Sequence, residues 1–270
     1  MRPSRVRTLL ADRGTAVNAW LSNDSAYLAE VLSYAGFDAI TVDLQHGMFG
    51  LDSAIRLIQA VSAGPAEPFA RCPSHDPAVI GKLLDAGAYG IICPGIDTPE
   101  HAAAFVAACR YPPIGQRSFG PARGLLYGGP DYVAHADETV MAWAMIESKA
   151  ALQAVARIAA VPGLDGLYVG PNDLALALGL PPGLATPPPE LEQAWVRIAE
   201  AAHEAGIYAG TFCADGTAAA RLVGLGYDLV TPGNDMAQLR AGATAAIAAA
   251  RADSNVAAGP STVLPSGTGY

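Results

Sequence analysis

The fold of this chain can be argued from one stretch, Asp165-Gly166-Leu167-Tyr168-Val169-Gly170-Pro171-Asn172-Asp173. A short apolar run that ends in glycine and proline is typical of a buried strand in a parallel sheet, and Leu174 to Leu178 continue it with a helical pattern. The stretch therefore places Asp173 at the carboxyl end of a strand. Asp is also a preferred N-cap, so capping of the next helix explains this residue equally well when it is considered alone.

The same alternation of apolar strand and helix repeats along the chain. After a short leading helix over residues 4–11, eight strands, each followed by a helix, are predicted at residues 15–21, 39–42, 68–70, 89–92, 139–146, 165–169, 207–212 and 227–231. Eight such units in about 250 residues predict a (β/α)8 TIM barrel. A doubly wound open sheet shares the alternation, but no GxGxxG motif follows the first strand.

Two segments depart from this period. Residues 111–138 are rich in Pro, Gly and Tyr, and we expect a long loop or lid over one face of the barrel. Residues 253–270 are small and polar, which predicts a flexible C-terminal tail after a single barrel domain over residues 1–252.

The composition excludes several classes of protein. A formal net charge of -9 argues against a nucleic-acid surface, which needs clustered cations. Only two residues are lysines, Lys82 and Lys149, and neither ends a strand, which weakens a Schiff-base mechanism. No apolar run approaches the roughly 20 residues of a membrane span. Four dispersed cysteines without a CxxC motif indicate reduced thiols and a cytoplasmic protein.

Chemically active side chains follow the predicted strands. In a barrel the carboxyl ends of the strands carry the chemistry, so these positions are candidates for one site. They are Asp43, Gln45, His46, Arg71, Pro94, Glu147, Asp173, Phe212 and Pro232. Two of the carboxylates, Glu147 and Asp173, follow neighbouring strands, and with an imidazole and a guanidinium at the same mouth they exceed what helix capping alone would distribute there.

Glu147 and Asp173 end neighbouring predicted strands and supply hard oxygen ligands without Cys or His beside them. This combination favours Mg²⁺ or Mn²⁺ over structural zinc and leaves coordination positions open for a chelating 2-oxo acid. The alternative for Glu147 is a surface ion pair with Lys149, or a cap for the helix that begins at Ala150.

His46 is the candidate general acid or base, because an imidazole titrates near neutrality. Arg71 could bind a substrate carboxylate or polarise a keto oxygen, and its alternative is a salt bridge with Asp43. The remaining histidines fall on predicted loops or helices and are expected to be solvated; they are His75, His101, His135 and His203.

Six motifs together resemble the HpcH/HpaI aldolase family of metal-dependent class II pyruvate aldolases. They are Val42-Asp43-Leu44-Gln45-His46-Gly47, Arg71-Cys72-Pro73, Leu83-Leu84-Asp85-Ala86-Gly87-Ala88, Arg110-Tyr111-Pro112-Pro113-Ile114-Gly115-Gln116-Arg117, Ile146-Glu147-Ser148 and Gly166-Leu167-Tyr168-Val169-Gly170-Pro171-Asn172-Asp173-Leu174. The motifs lie between residues 42 and 174 in the expected order, and the resemblance as a whole covers roughly residues 8–250.

The resemblance implies a reversible cleavage of a 4-hydroxy-2-oxo acid to pyruvate and an aldehyde, with the enolate stabilised by a metal. Glu147 and Asp173 would hold Mg²⁺, Mn²⁺ or Co²⁺. Arg71 would contact the keto oxygen, and His46, paired with Asp85, would handle the proton of the aldol hydroxyl. Substrate contacts are further expected from the helix start and from the end of the seventh strand, at Gly170, Pro171, Asn172 and Phe212.

The resemblance also implies a homo-oligomer, in which the last helix packs on a neighbouring subunit and dimers assemble into a hexamer. One position departs from the family: many members carry Gly-Glu-His where this chain has Leu44-Gln45-His46. Arg123, in a segment particular to a subgroup, would recognise a distal anionic group or hold the lid.

Two further activities are compatible with these residues. A lyase acting on a CoA thioester of the malyl or citramalyl type would need a basic groove for its phosphates, and the sequence shows no cluster of Lys or Arg to form one. A non-catalytic 2-oxo acid binding protein would not need the complete set of metal and acid-base residues.

Overall fold

The computed structural model describes residues 2–183 and 187–252. In these ranges the strands are β1 (Ala16–Leu21), β2 (Ala39–Asp43), β3 (Glu67–Arg71), β4 (Gly90–Cys93), β5 (Met141–Ile146), β6 (Gly166–Val169), β7 (Tyr208–Cys213) and β8 (Leu229–Pro232). The helices are α1 (Arg5–Ala11), α2 (Ala26–Ser33), α3 (Leu51–Ala63), α4 (Pro77–Asp85), α5 (Pro99–Cys109), α6 (Ala122–Gly128), α7 (Tyr132–Thr139), α8 (Lys149–Ala159), α9 (Pro171–Ala177), α10 (Pro189–Glu204), α11 (Gly216–Gly224) and α12 (Asp235–Ala252).

The eight strands form a closed parallel barrel in chain order, in which β8 pairs with β1. This confirms the (β/α)8 prediction, and the open-sheet alternative is wrong. The register places Asp43 of β2 opposite Arg71 of β3, and Ile146 of β5 opposite Val169 of β6. Consequently Glu147 and Gly170, which follow those last two residues, leave the barrel side by side.

Aromatic side chains fill the interior of the barrel. Trp20, Trp143 and Tyr168 are all almost completely buried, and the rings of Trp20 and Tyr168 stack at 5.8 Å between centroids. The hydroxyl of Tyr168 lies 2.8 Å from that of Thr231, so its one polar atom is satisfied inside the core. The barrel is therefore a packed support for the residues at its mouth.

The amino end of the barrel is closed by α1 and by ion pairs. Val6 and Leu10 of α1 are buried against the interior aromatic cluster. Asp165, directly before β6, binds Arg7 and Arg110 at 2.7 Å each. These arginines therefore stabilise the end of the barrel that lies opposite to the strand carboxyl ends.

The prediction that residues 111–138 form a loop or lid is wrong, because this segment contains two helices, α6 and α7. It connects α5 to β5, and helices run antiparallel to the strands, so it lies at the amino end of the barrel. The Nε of Arg123 donates to the carbonyl of Ala86 at 3.0 Å, in the turn before β4. Arg123 therefore holds this segment in place and is remote from the mouth.

The C-terminal region is only partly described. The predicted tail, residues 253–270, lies outside the described residues. Asp235 is the only buried residue that the structure gives for α12, and the exchange of this helix between subunits stays a prediction. Over residues 2–183 and 187–252, none of the helices has the length and apolar character required to cross a membrane.

Candidate active site

A buried ion pair organises the mouth of the barrel between β1, β2 and β3. The Nε and one terminal nitrogen of Arg71 donate to the two carboxylate oxygens of Asp43 at 2.7 and 2.6 Å. The indole nitrogen of Trp20 donates to the same carboxylate at 3.1 Å, and the guanidinium lies 4.8 Å from the centre of the Trp20 ring. The predicted salt bridge thus exists, and it holds the charge of Arg71 in one orientation at the mouth.

His46 follows this ion pair, but Asp85 does not approach it. The backbone amide of His46 donates to Asp43 at 3.3 Å, and the residue is exposed at the mouth. Asp85 is the last residue of α4, at the amino end of the barrel, and its carboxylate accepts from Arg117 at 3.0 Å. The two ends of a five-residue strand are about 15 Å apart. The predicted pairing of His46 with Asp85 is therefore wrong within one chain.

Glu147 neither pairs with Lys149 nor caps the next helix. Its Oε1 accepts from the backbone amide of Gly95 at 2.7 Å, whereas Ser148 caps α8. Burial raises the pKa of the Glu147 carboxyl above its ordinary value; the Gly95 amide lowers it, the charge of Asp173 raises it and Arg71 lowers it. The two carboxylates and the guanidinium therefore share one electrostatic environment.

Asp173 is not the N-cap of its helix. The cap position of α9 is Gly170, and Asp173 is the third residue of the helix and is exposed. The amide of Gly170 donates to the carbonyl of Ile146 at 3.2 Å, and Pro171 carries no amide hydrogen. Of the three predicted residues, only Asn172, in the first turn, can therefore offer its backbone amide to a substrate carboxylate.

The donor set at the mouth fits a hard divalent cation. Glu147 and Asp173 supply carboxylates, and two more oxygens in the region, Oε1 of Gln45 and Oδ1 of Asn172, are buried without a hydrogen-bond partner. Among the residues that the structure describes, no group of three or more His, Cys, Asp or Glu side chains is arranged to hold a metal. The fit is therefore to a site with two charged ligands that leaves coordination positions for water and substrate.

An open cavity of about 570 Å³ lies beside these residues. It is lined by Gln45, Pro73, Ser74, His75, Asp76, Pro94, Gly95 and Glu147. The cavity lies between the loops after β2, β3 and β4, away from the segment over residues 111–138. Phe212 lies at the end of β7, where its ring meets Trp20 edge-on at 5.7 Å. Its predicted contact with substrate stays a prediction.

The prediction that all remaining histidines are solvated is wrong for two of them. His75 and His101 are half-buried, and their rings pack edge-to-face at 5.2 Å. Sequence reasoning also missed Trp20 and Gly95, which bind Asp43 and Glu147. A tryptophan one residue before the end of the first strand was the available signal, since a strand end faces the mouth.

We expect Gly170→Ala to impair catalysis while leaving the barrel folded. A Cβ at this position would lie 2.8 Å from both Cβ and Oε2 of Glu147, so that carboxylate must move. A misplacement of about 1 Å at a reacting centre can lower the rate about 10²-fold, and we expect a loss of this order in kcat/KM. Steady-state kinetics and thermal melting measure the two effects.

Gly81→Ala is the matched control, because a Cβ there meets nothing within 4 Å and the residue lies inside α4. Its activity should equal that of the wild type. Full activity in Gly170→Ala would contradict a role for Glu147 at the reacting centre.

Similarity to known proteins extends along nearly the whole chain. The model of the HpcH/HpaI aldolase/citrate lyase family matches residues 17–241. The hydroxypyruvate/pyruvate aldolase of Rhizorhabdus wittichii is 41% identical over 249 residues, which cover 92% of this chain and 99% of that protein. A protein of the same name from Chromohalobacter salexigens is 35% identical, over 85% of this chain and 91% of its own length.

A solved structure agrees with the fold as well. The crystal structure of an HpcH/HpaI aldolase/citrate lyase family protein from Burkholderia cenocepacia J2315 matches with a TM-score of 0.84 at 32% identity, over 92% of this chain and 99% of that one.

Proposed function

The chain belongs to the HpcH/HpaI aldolase/citrate lyase family, and we propose that it is a class II aldolase that reversibly cleaves a 4-hydroxy-2-oxo acid to pyruvate and an aldehyde. One observation carries the proposal: Glu147 leaves β5 directly beside Gly170, where the helix that carries Asp173 begins, and Arg71 is held by Asp43 at the same mouth. Relatives named as pyruvate aldolases support the same reaction.

Glu147 and Asp173 would hold the divalent cation, Mg²⁺, Mn²⁺ or Co²⁺. When bound, the cation would supply Lewis-acid stabilisation of the negative charge that develops on the keto oxygen. Asn172 would offer its amide to the substrate carboxylate at the first turn of α9. Of the three residues predicted at this helix start, only Asn172 can bind the carboxylate through its amide. The amide of Gly170 donates to the carbonyl of Ile146, and Pro171 has no amide hydrogen.

Arg71 would stabilise the same developing charge from the other side. Asp43 and Trp20 hold its guanidinium, so no reorientation is needed when the charge appears. His46 would accept the proton of the hydroxyl group on C4 of the substrate as the bond between C3 and C4 breaks. The electron pair of that bond forms the enolate, and C4 leaves as the carbonyl carbon of the aldehyde. The proton taken up by His46 would then return to C3, which converts the enolate to pyruvate.

Two alternatives find less support. A CoA thioester would need cations at the mouth for its phosphates, and four arginines are bound at the amino end instead: Arg7, Arg110, Arg117 and Arg123. A non-catalytic binding protein would not need Asp43, Trp20 and Arg71 held together at the mouth.

The experiment is an assay of pyruvate release from a panel of 4-hydroxy-2-oxo acids, with Mg²⁺, Mn²⁺ or Co²⁺ added to metal-free protein. We expect release with at least one acid and one metal, and none after chelation. Calorimetric binding of pyruvate without turnover of any acid would instead support the binding protein.

Three finer points belong to the same proposal. Mg²⁺ and Mn²⁺ both suit a site whose two charged ligands are oxygens. The family resemblance suggests a homo-oligomer built from dimers, up to a hexamer. The four cysteines are buried and unpaired, which is compatible with a reducing cytoplasm.

A further inference from the structure

The loop after β4 forms hydrogen bonds with two consecutive residues that follow β5, Glu147 and Ser148. The amide of Gly95 donates to Oε1 of Glu147 at 2.7 Å, and the hydroxyl of Ser148 donates to the carboxylate of Asp97. The position of this loop therefore determines where the Glu147 carboxylate lies.

His75 contacts the same loop from the opposite side. Its Nε2 lies 2.7 Å from the carbonyl oxygen of Pro94. Because a carbonyl oxygen only accepts, Nε2 must carry the hydrogen and donate it. The carbonyl of Pro94 and the amide of Gly95 belong to one peptide group, so His75 and Glu147 are bound to its two ends.

A peptide group polarised at its oxygen donates more strongly at its nitrogen, and condensed-phase estimates put this cooperative gain at roughly 10–30% per bond. The Gly95 amide is the donor that the structure gives to the buried Glu147 carboxylate. A stronger donor there holds the carboxylate more firmly in one rotamer, in the position from which it would bind a cation.

The surroundings of His75 hold it in this contact. The ring of His101 packs against it edge-to-face at 5.2 Å, and Nδ1 of His101 lies 3.4 Å from the amide of Asp97. Gly95 has φ +67, a left-handed conformation that favours glycine, and a Cβ on it would lie 3.4 Å from Nε2 of His75. The loop after β4 therefore contacts both imidazoles, those of His75 and His101, and also the carboxylate of Glu147.

We propose that His75 is a positioning residue for Glu147, acting through the Pro94–Gly95 peptide group to fix and polarise the carboxylate that binds the divalent cation. This inference rests on the proposed function, because it needs Glu147 to be a metal ligand. His75 itself touches neither cation nor substrate in this assignment.

The test measures Mn²⁺ affinity by calorimetry and by the electron paramagnetic resonance signal of free Mn²⁺, on the full chain without substrate. Loss of a group bonded directly to a metal ligand typically costs 10–100-fold in affinity. Because His75 acts through one intervening peptide group, we expect His75→Ala to raise the Mn²⁺ dissociation constant by about 10-fold, the lower end of this range. His75→Gln should recover most of the affinity, because its side-chain amide can donate to the carbonyl of Pro94. The melting temperature is recorded for each variant.

His203→Ala is the control, since the side chain of His203 is 45% exposed and contacts Asp228 at the amino end of the barrel. Wild-type affinity in His75→Ala, with Glu147→Gln defective, would overturn the role of His75 and leave the proposed function standing. Equal defects in His75→Ala and His75→Gln would also overturn it, because the donated hydrogen bond would then be irrelevant. If calorimetry shows that the wild type binds none of Mn²⁺, Mg²⁺ and Co²⁺, the proposed metal site fails, and the role of His75 fails with it.

Discussion

Glu147→Gln should lower kcat/KM by on the order of 10³-fold or more, because the charge stabilisation that a bound cation supplies is worth several kcal/mol and each 1.36 kcal/mol is tenfold in rate. Mn²⁺ affinity should fall in the same variant. The barrel should remain folded, since the glutamine oxygen can still accept from Gly95. The melting temperature should stay level or rise, because a buried charge is removed.

Glu138→Gln is the matched control, because the side chain of Glu138 is 78% exposed on α7 at the amino end. It should retain wild-type kinetics and metal affinity. Unchanged Mn²⁺ affinity in Glu147→Gln would remove this residue from the metal site. Loss of the folded barrel in that variant would show that Glu147 is primarily structural.

Asp43→Asn should destabilise the protein by about 3–5 kcal/mol, because it leaves the buried guanidinium of Arg71 without its counter-charge. Asp43 is completely buried and accepts hydrogen bonds from Arg71 and Trp20, so its charge is the direct counter-charge of a guanidinium that is itself buried. For a chain of this size the melting temperature should fall by on the order of 10 °C. Activity should fall as well, since Arg71 loses its fixed orientation.

The matched control is Asp215→Asn, which exchanges the same atoms at an exposed N-cap where Asn serves as well as Asp. Its melting temperature should equal that of the wild type. Adding Arg71→Met to Asp43→Asn should restore part of the lost stability by removing the unpaired charge, while activity stays low. A double variant no more stable than Asp43→Asn would contradict the ion-pair explanation.

The arginines are divided between the two ends of the barrel, and one of them is fixed at the mouth. Arg71 forms an ion pair with Asp43 at the mouth, whereas Arg7 and Arg110 form ion pairs with Asp165 at the amino end. In the proposed reaction, a substrate with one carboxylate and a keto group would be matched by one fixed guanidinium and by the cation that Glu147 and Asp173 would hold.

The residues at the strand ends were largely predictable. Strand ends of a parallel barrel meet at one mouth, so locating the strands was enough to bring Asp43, Arg71, Glu147 and Asp173 together. The roles of individual atoms were less accessible. That Gly170 cannot bind substrate through its amide depends on its hydrogen bond to Ile146, which follows from the register of β5 and β6.

Predictions failed where they needed to know which end of the barrel a connection occupies. Asp85 and Arg123 have suitable chemistry for the site, but both lie at the amino end. Residues 111–138 were expected to form a loop or lid because Pro and Gly obscured two short helices. The partners of His75 are loop atoms whose positions depend on the left-handed conformation at Gly95.

The sequence by itself determined the alternation of strands and helices, the closed barrel and the set of reactive residues at its mouth, because apolar periodicity and strand ends are local properties. Only the tertiary structure decided which groups bind one another: Arg71 with Asp43, Gly95 with Glu147, and Asp85 with Arg117 rather than His46. The physical reason is that a hydrogen bond needs atoms within about 3 Å. Such proximity depends on strand register and loop conformation across residues distant in the chain.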